Sequence, residues 1–395
     1  MYTPTKKILK NYAEVLVNFA LGKGRGISRG DIVYLQFDSP ALPLAYAVYE
    51  AILCSGGHPM VKQNEEDFSK IFYNVASEDQ LEFFPKRYMK SLVSTIDHRL
   101  YLIAHRDPFL LKNVDPALIM RANKKAKVMK KWLFEKEDRG RLTWTLALYG
   151  TAGQAREAGL PLKEFWEQIE IACFLRDARP KATWKRVFTR IEAIRGKLNK
   201  LGMRKLHITA HNTDLWINLG ESRRWLGGRG ANIPSFELFT SPDWRGTEGH
   251  IHFDYPLYTY GNLVKDVYLE FKSGRVVKAQ ARKNQKLLTQ IISQKNADKV
   301  GEYSLTDKRF SHITRFMANT LYDENFGGEY GIFRFCTGKN IKDEDHCLEC
   351  PLGKSISLVW SHKREGVGRG LGASNTLLSD RLCGRAYGLQ NAAPA

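Results

Sequence analysis

The stretch that decides the fold is residues 31–62, DIVYLQFDSPALPLAYAVYEAILCSGGHPMVK. Its first part, 31–36, is a short apolar run with the length of a buried strand, and 41–54 has the pattern of a helix. The helix ends before a pair of glycines, and a second short strand follows at 58–62. A strand, a helix and a strand within about thirty residues form the βαβ pattern, which predicts a parallel sheet covered by helices.

Further along the first half, 99–105 and 143–149 are predicted strands that helical patterns separate. The pattern changes near Lys205, after which apolar residues recur at every second position, as in half-buried antiparallel strands. Strands with this alternation are predicted at 206–209, 215–219, 267–271 and 276–279. Two further helices are predicted at 285–294 and 311–318.

These patterns divide the chain near residue 200. We predict an α/β N-terminal domain, 1–200, built on a parallel sheet with helices. An α+β catalytic domain with a mostly antiparallel sheet follows at 201–334. The remaining residues, 335–395, show no sustained strand or helix period and are interpreted as a divergent tail.

The composition is that of a water-soluble globular protein. The chain has 395 residues, of which 43% are hydrophobic and 26% are charged. No window approaches the roughly 18 apolar residues that a membrane helix requires, and the first residues lack the apolar core of a signal peptide. We therefore expect a cytoplasmic protein that does not bind to a membrane.

The formal net charge of +19 attracts polyanions without selecting among them. The lysines and arginines are spread along the chain and mingled with acids, whereas a dedicated nucleic-acid groove interleaves basic and aromatic residues. We expect no specific nucleic-acid partner, and a basic nucleic-acid-binding protein remains an alternative function.

Glu237 is the first candidate site residue. It is the only acid in the segment 225–242, which also contains three glycines for a tight loop, and apolar residues flank it on both sides. An acid among apolar neighbours is costly to bury unless it is paired or bound to a metal. The alternative is an edge-strand glutamate that faces water.

Glu302 is a second lone acid in a short strand-like run, 300–305. A third acidic segment, Asp323-Glu324-Asn325, follows a predicted helix and could simply be a polar helix end. His250 and His252 alternate on one predicted strand and so share a face, which leaves them open as metal ligands or as part of the scaffold.

Together these segments resemble the thermophilic-type metallo-aminopeptidases, the family of aminopeptidases T and S and aminopeptidase II. The order and spacing of the matching segments carry the resemblance up to about residue 331. The segments are 11–14, 41–44, 55–59, 213–215, 232–242, 300–302 and 319–325.

The resemblance implies a two-metal exopeptidase that removes single residues from peptides with a free N-terminus, usually as a homodimer and with zinc or cobalt. The family's ligand set resembles two glutamates, two histidines and an aspartate, beside a catalytic tyrosine. Glu237 and Glu302 match the two glutamates. Two such ions can share a water molecule and lower its pKa, and their oxygen and imidazole ligands suit either metal.

The chain departs from the family after the Asp-Glu-Asn segment. Arg334 stands where the family has its first metal-binding histidine, and Ile341 stands where it has the tyrosine. No His-x-Asp pair follows residue 334. A cation at that position repels metal ions, so a catalytically dead remnant of the family remains an alternative.

A frameshift is our hypothesis for this departure. Residues 335–339, read one nucleotide later, can encode Phe-Ala-Leu-Gly, which is close to the family's His-Ile-Ala-Leu-Gly segment. The nucleotide sequence would decide between a frameshift and a genuinely divergent end.

Overall fold

The structure is a computed structural model that describes residues 2–124, 126–221, 223–227, 230–253, 255–294, 296–306, 309–325, 330–335 and 356–361. For 330–335 and 356–361 only the backbone is described. Ile341, as well as most of the predicted divergent tail, lies outside these residues. No described helix is both long enough and apolar enough to cross a membrane.

The first half alternates strands and helices, as the βαβ stretch predicts. Its strands are β1 (Ile32–Asp38), β2 (His58–Asn64), β3 (His98–Ile103) and β4 (Thr143–Leu148). Its helices are α1 (Lys6–Val15), α2 (Leu42–Cys54), α3 (Glu66–Val75), α4 (Glu78–Glu82), α5 (Lys86–Thr95), α6 (Pro116–Lys124), α7 (Ala126–Asp138), α8 (Ala152–Glu157), α9 (Leu162–Ala172) and α10 (Pro180–Lys200). A π-helical turn, Leu16–Ala20, extends α1, and a 3₁₀ turn, Ser39–Ala41, precedes α2.

The N-terminal sheet is parallel, which confirms the predicted fold class of this half. Its strand order is β2-β1-β3-β4, and β1 pairs with both β2 and β3 in parallel register. Val33 and Leu35 of β1 are fully buried, as are Val48 and Ile52 of α2, because the helix covers this face of the sheet. Apolar burial of this kind contributes about 25 cal/mol per Å² to folding.

The second half is built mainly from antiparallel strands, as predicted. The strands of this half are β5 (Lys205–Ala210), β6 (Thr213–Asn218), β7 (Leu226–Gly227), β8 (Asn232–Ile233), β9 (Glu237–Thr240), β10 (Asp243–Phe253), β11 (Leu257–Thr259), β12 (Asn262–Lys272), β13 (Arg275–Lys283), β14 (Val300–Thr306), β15 (Tyr330–Phe335) and β16 (Ile356–Ser361). The helices are α11 (Gln285–Ile292) and the short α12 (Thr320–Asp323).

These strands form two antiparallel sheets and extend the first sheet. One antiparallel sheet has the order β11-β12-β10-β6-β5 with β13 paired to β12, and the other has the order β16-β15-β14-β9-β7. The short strand β8 instead joins β4 in the parallel sheet, and Phe236 stacks on Trp184 of α10 with ring centroids 5.3 Å apart. Residues on both sides of position 200 therefore share one core, and the predicted domain boundaries stay predictions.

Two sequence expectations are corrected. The helix expected at 311–318 does not form, because Asp323 accepts the backbone N–H of Met317 and the hydroxyl of Ser311 donates to the carbonyl of Asn325, which hold the segment in an irregular turn. The tail, which was expected to lack regular structure, contributes β16, because the exposed edge of β15 offers backbone partners to the apolar run 356–361.

Candidate active site

Glu237 and Glu302 lie on one face of the same antiparallel sheet. In the ladder of β9 and β14, Glu237 is paired with Thr306. Residues opposite each other in such a ladder share a face, and so do alternate residues along a strand. Thr306, Ser304 and Glu302 alternate along β14, so both glutamates lie on the face that carries Ser304, and Ser304 lies between them.

Glu237 is buried, with 4% of its surface exposed. The hydroxyl of Ser304, also fully buried, donates a hydrogen bond of 3.1 Å to Oε1 of Glu237. The alternative of a water-facing edge-strand glutamate is therefore wrong, because β9 lies between β14 and β7 and not at an exposed edge. Glu302 is half-buried.

The Asp-Glu-Asn segment positions the strand that carries Glu237. Oδ1 of Asn325 accepts the backbone N–H of Phe236 at 2.6 Å, and Nδ2 of Asn325 donates to the carbonyl of Leu321 at 2.8 Å. The hydroxyl of Thr306 donates to the carbonyl of Glu324 at 3.0 Å. The sequence did not predict these hydrogen bonds, because the segment could also be interpreted as a polar helix end.

Asp323 of the same segment holds a turn. Its two carboxylate oxygens accept the backbone N–H groups of Met317 and Asn319, each at 2.8 Å. Burial disfavours the charged form and raises the pKa of Asp323 to about 8, and the neighbouring Glu324 adds to the rise while the two backbone donors oppose it. The hydrogen bonds of Asp323 are those of a structural residue.

Arg334 is paired with Glu302 in the ladder of β14 and β15. The two positions face each other directly and lie on the same face of the sheet. This is the position where the family resemblance expects a metal-binding histidine, and that alignment stays a prediction. The register places a basic residue type beside the second candidate ligand.

The other candidate histidines belong to the other antiparallel sheet. His250 of β10 is paired with Asp214 of β6 on one side and with Glu270 of β12 on the other. His252 lies on the same strand and is paired with Tyr268. The structure therefore does not bring these histidines onto the strands of Glu237 and Glu302.

The described residues do not complete a metal centre. Among them, no group of three or more His, Cys, Asp or Glu side chains could hold a metal ion. Glu237 and Glu302 supply two carboxylates on one face, whereas the resemblance implies five protein ligands for a pair of ions. The residues present thus fit part of the donor set and do not fit a two-ion site.

Comparison with known proteins gives a consistent result. The chain is 26% identical to "Aminopeptidase PepS" of Streptococcus thermophilus, over 83% of this chain and 84% of the relative. It is 24% identical to "Aminopeptidase AmpS" of Bacillus subtilis, over 89% and 91% of the two chains. The solved structure of wild-type AmpT from Thermus thermophilus has the same fold, with a TM-score of 0.74, 23% identity and coverage of 90% and 92% of the two chains.

The model of the thermophilic metalloprotease family (M29) matches residues 5–343 and so includes Glu237, Glu302 and Arg334. This match confirms the family resemblance inferred from the sequence, and with the named relatives it confirms the expected enzyme class. The chain belongs to the thermophilic metalloprotease family, M29.

Proposed function

We propose that this chain is an aminopeptidase that removes single residues from peptides with a free N-terminus. The observation that carries the proposal is the shared sheet face of Glu237, Ser304 and Glu302. Two carboxylates on one partly buried face attract the positively charged amino group of a peptide, because the interaction of opposite charges strengthens away from bulk water. The relatives that cover most of the chain are named aminopeptidases, which supports the same activity.

We further propose Glu237 and Glu302 as carboxylate ligands of divalent metal ions, zinc or cobalt, of which the family resemblance implies two. Membership of a metalloprotease family supports a metal requirement. Carboxylate oxygens are acceptable ligands for both ions. The remaining ligands would have to come from outside the described residues, so no catalytic step is assigned to a metal. We also propose that the protein is a homodimer in the cytoplasm.

A specific observation favours a second candidate, a family member that has lost catalysis. Arg334 is paired with Glu302 at the position of the expected histidine. An arginine is a permanent cation and cannot be a metal ligand, because its guanidinium group has no lone pair to donate at ordinary pH. A chain with Arg334 at this position would keep the fold and lose the metal centre.

One experiment separates the two candidates. The purified full chain is assayed for release of a chromogenic group from an aminoacyl anilide with added zinc or cobalt, and its metal content is measured by elemental analysis. An active enzyme whose turnover falls at least about 100-fold in Glu302→Gln supports the aminopeptidase, because ligand loss removes several kcal/mol of stabilisation.

The variant Arg334→His tests whether this arginine is what removed catalysis. Arg275→His, at the exposed arginine of β13, is the matched control. If the wild-type chain is inactive and metal-free but Arg334→His gains bound metal, the site is intact except for that residue. If neither chain binds metal or hydrolyses the substrate, the aminopeptidase proposal is wrong for this polypeptide and the remnant stands.

A further inference from the structure

Helix α10 does not share the mixture of bases and acids that is found along most of the chain. Its 21 residues include seven lysines and arginines but only one acid, Glu192. Like charges that are concentrated on one element repel each other, and such a surface attracts a partner of opposite charge. The helix is therefore a candidate for a second binding surface.

Most of these basic residues lie on the side of α10 that faces away from the core. Trp184, Phe188, Ile191 and Leu198 are buried and mark the inner side of the helix. A helix turns by about 100° per residue, which places five basic residues and no acid on the opposite side. These five exposed residues define what we call the α10 basic face: Lys185, Arg186, Arg190, Lys197 and Lys200.

Carboxylates do not neutralise the α10 basic face. Lys181 pairs with Glu14 at 3.9 Å and Arg195 pairs with Glu192 at 2.5 Å, but both pairs lie outside the face. Even without Lys197 the face has four cations, and none of the four forms an ion pair with a described carboxylate. Their charges therefore remain available to a partner.

The two arginines of the face have uncharged neighbours. Arg186 donates a hydrogen bond of 3.0 Å to the hydroxyl of Thr183. The guanidinium group of Arg190 lies 5.2 Å from the ring centroid of Phe310, which is the geometry of a cation–π contact. These contacts restrain the two side chains and leave their charges in place.

The core holds α10 firmly from the inner side. Nε1 of Trp184 donates to the carbonyl of Cys173 at 3.0 Å, and the same indole stacks on Phe236. Phe188 meets Phe19 edge to face, with ring centroids 4.9 Å apart. Because the helix is already ordered, a partner binds the aligned charges without first having to fold the segment that carries them.

We propose that the α10 basic face binds the phosphate backbone of duplex DNA without reading its sequence. The face spans residues 185–200, which is roughly 22 Å at the helical rise of about 1.5 Å per residue. One DNA strand carries a phosphate about every 3.4 Å along the axis, so roughly six phosphates lie along that length. The five cations of the face therefore match a row of anions of similar length and charge.

The residue types of the helix favour a duplex over other polyanions. Proteins that bind single strands stack the bases on exposed aromatic rings, whereas the aromatic residues of α10, Trp184 and Phe188, are buried. Helices that bind membrane surfaces insert apolar side chains among the lipids, and none of the exposed large apolar residues lies on α10. Contacts to phosphates alone carry no sequence information, which agrees with the expectation of no specific nucleic-acid partner.

The test is the fluorescence anisotropy of a labelled duplex DNA of arbitrary sequence and about 20 base pairs, titrated with the full-length protein between about 50 and 200 mM salt. The logarithm of the association constant should fall linearly with the logarithm of the salt concentration, with a slope of about −4 for the five cations. The triple variant Lys185→Gln, Arg186→Gln, Lys200→Gln should reduce this slope by about 3 and raise Kd at least about 100-fold at the lowest salt concentration.

The matched control is the triple variant Lys86→Gln, Arg87→Gln, Lys90→Gln, which removes the same charges from three exposed positions of α5. It should change Kd less than about threefold, because only the long-range field of the protein is altered. All six positions are exposed, so an unchanged melting temperature verifies folding. If the α10 triple variant melts earlier, Lys200→Gln alone should still reduce the slope by about 1.

Four outcomes overturn the inference. They are a wild-type chain that does not bind the duplex at the lowest salt concentration, an equal loss of binding in both triple variants, tighter binding of a single strand than of the duplex, and competition by polyglutamate as strong as that by unlabelled duplex. The readout needs no enzymatic activity, so a chain that binds DNA without hydrolysing an aminoacyl anilide would contradict only the proposed function.

Discussion

Asp323 and Glu237 are buried carboxylates whose surroundings the same loop organises, yet they are held in different ways. Asp323 accepts two backbone N–H groups of an irregular turn. Glu237 accepts a hydrogen bond from the hydroxyl of Ser304, on a sheet face that it shares with Glu302. Asn325, two residues after Asp323, accepts the N–H of Phe236, the residue before Glu237.

Burial alone therefore does not distinguish a structural carboxylate from a candidate ligand. A carboxylate bound to backbone donors replaces hydrogen bonds that a helix would have supplied, and its loss affects folding. A carboxylate on a sheet face beside a second acid is positioned to bind a cation, and this arrangement lowers the stability of the fold. Substitution of Glu237 should therefore lower activity and spare stability, whereas substitution of Asp323 should lower stability.

The largest expected effect is on the activity of Glu237→Gln. We expect kcat/KM for an aminoacyl anilide to fall about 1000-fold or more, since a metal or substrate amine would lose its anionic partner. The melting temperature should stay the same or rise, because an isosteric amide avoids burying a charge.

Glu192→Gln, at a partly exposed glutamate of α10 that pairs with Arg195, is the control and should change neither quantity. Retained activity in Glu237→Gln would remove Glu237 from the site. A large drop in melting temperature would instead assign it the structural role that we give to Asp323.

Asp323→Ala should lower the free energy of unfolding by about 2–4 kcal/mol, because two buried backbone N–H groups lose their acceptors. The pH dependence adds a signature. The pKa of Asp323 in the folded chain, about 8, lies above its ordinary value of 3.8. The folded state therefore binds this proton more tightly than the unfolded state. The stability that the protonated Asp323 contributes is fully present below about pH 4 and is lost as the pH rises through 8.

Urea unfolding of both chains between pH 4 and 9 measures the two effects together. The difference in stability between wild type and Asp323→Ala should shrink as the pH rises. A difference that grows toward pH 9 would mean that the charged form is the one stabilised in the folded chain, contrary to the burial of this carboxyl.

The smallest effect is expected for Ser304→Ala. Loss of the hydroxyl that orients Glu237 should lower kcat/KM about tenfold, as for groups that position a ligand, and stability by about 1 kcal/mol. Ser94→Ala, in the exposed last turn of α5, serves as control. An unchanged rate would show that Glu237 keeps its orientation without Ser304.

Much of the fold could be predicted because its signals are local. The apolar run at 31–36, the helical pattern at 41–54 and the strand at 58–62 reappear as β1, α2 and β2 in parallel register. The helix expected at 311–318 failed because the side chain of Asp323 accepts the backbone N–H groups of Met317 and Asn319, a competition that apolar periodicity does not register. The acidic segment at 323–325 was noticed, but its contact with Phe236 is a long-range one.

The sequence by itself determined the alternation of elements, the family resemblance that the family match confirms, and the choice of Glu237 and Glu302 as candidates. These follow from residue types and from spacing along the chain. Only the tertiary structure decided that the two glutamates share a face with Ser304 and that Arg334 is paired with Glu302. The physical reason is that strand register and burial arise from pairing between distant segments, which no local pattern encodes.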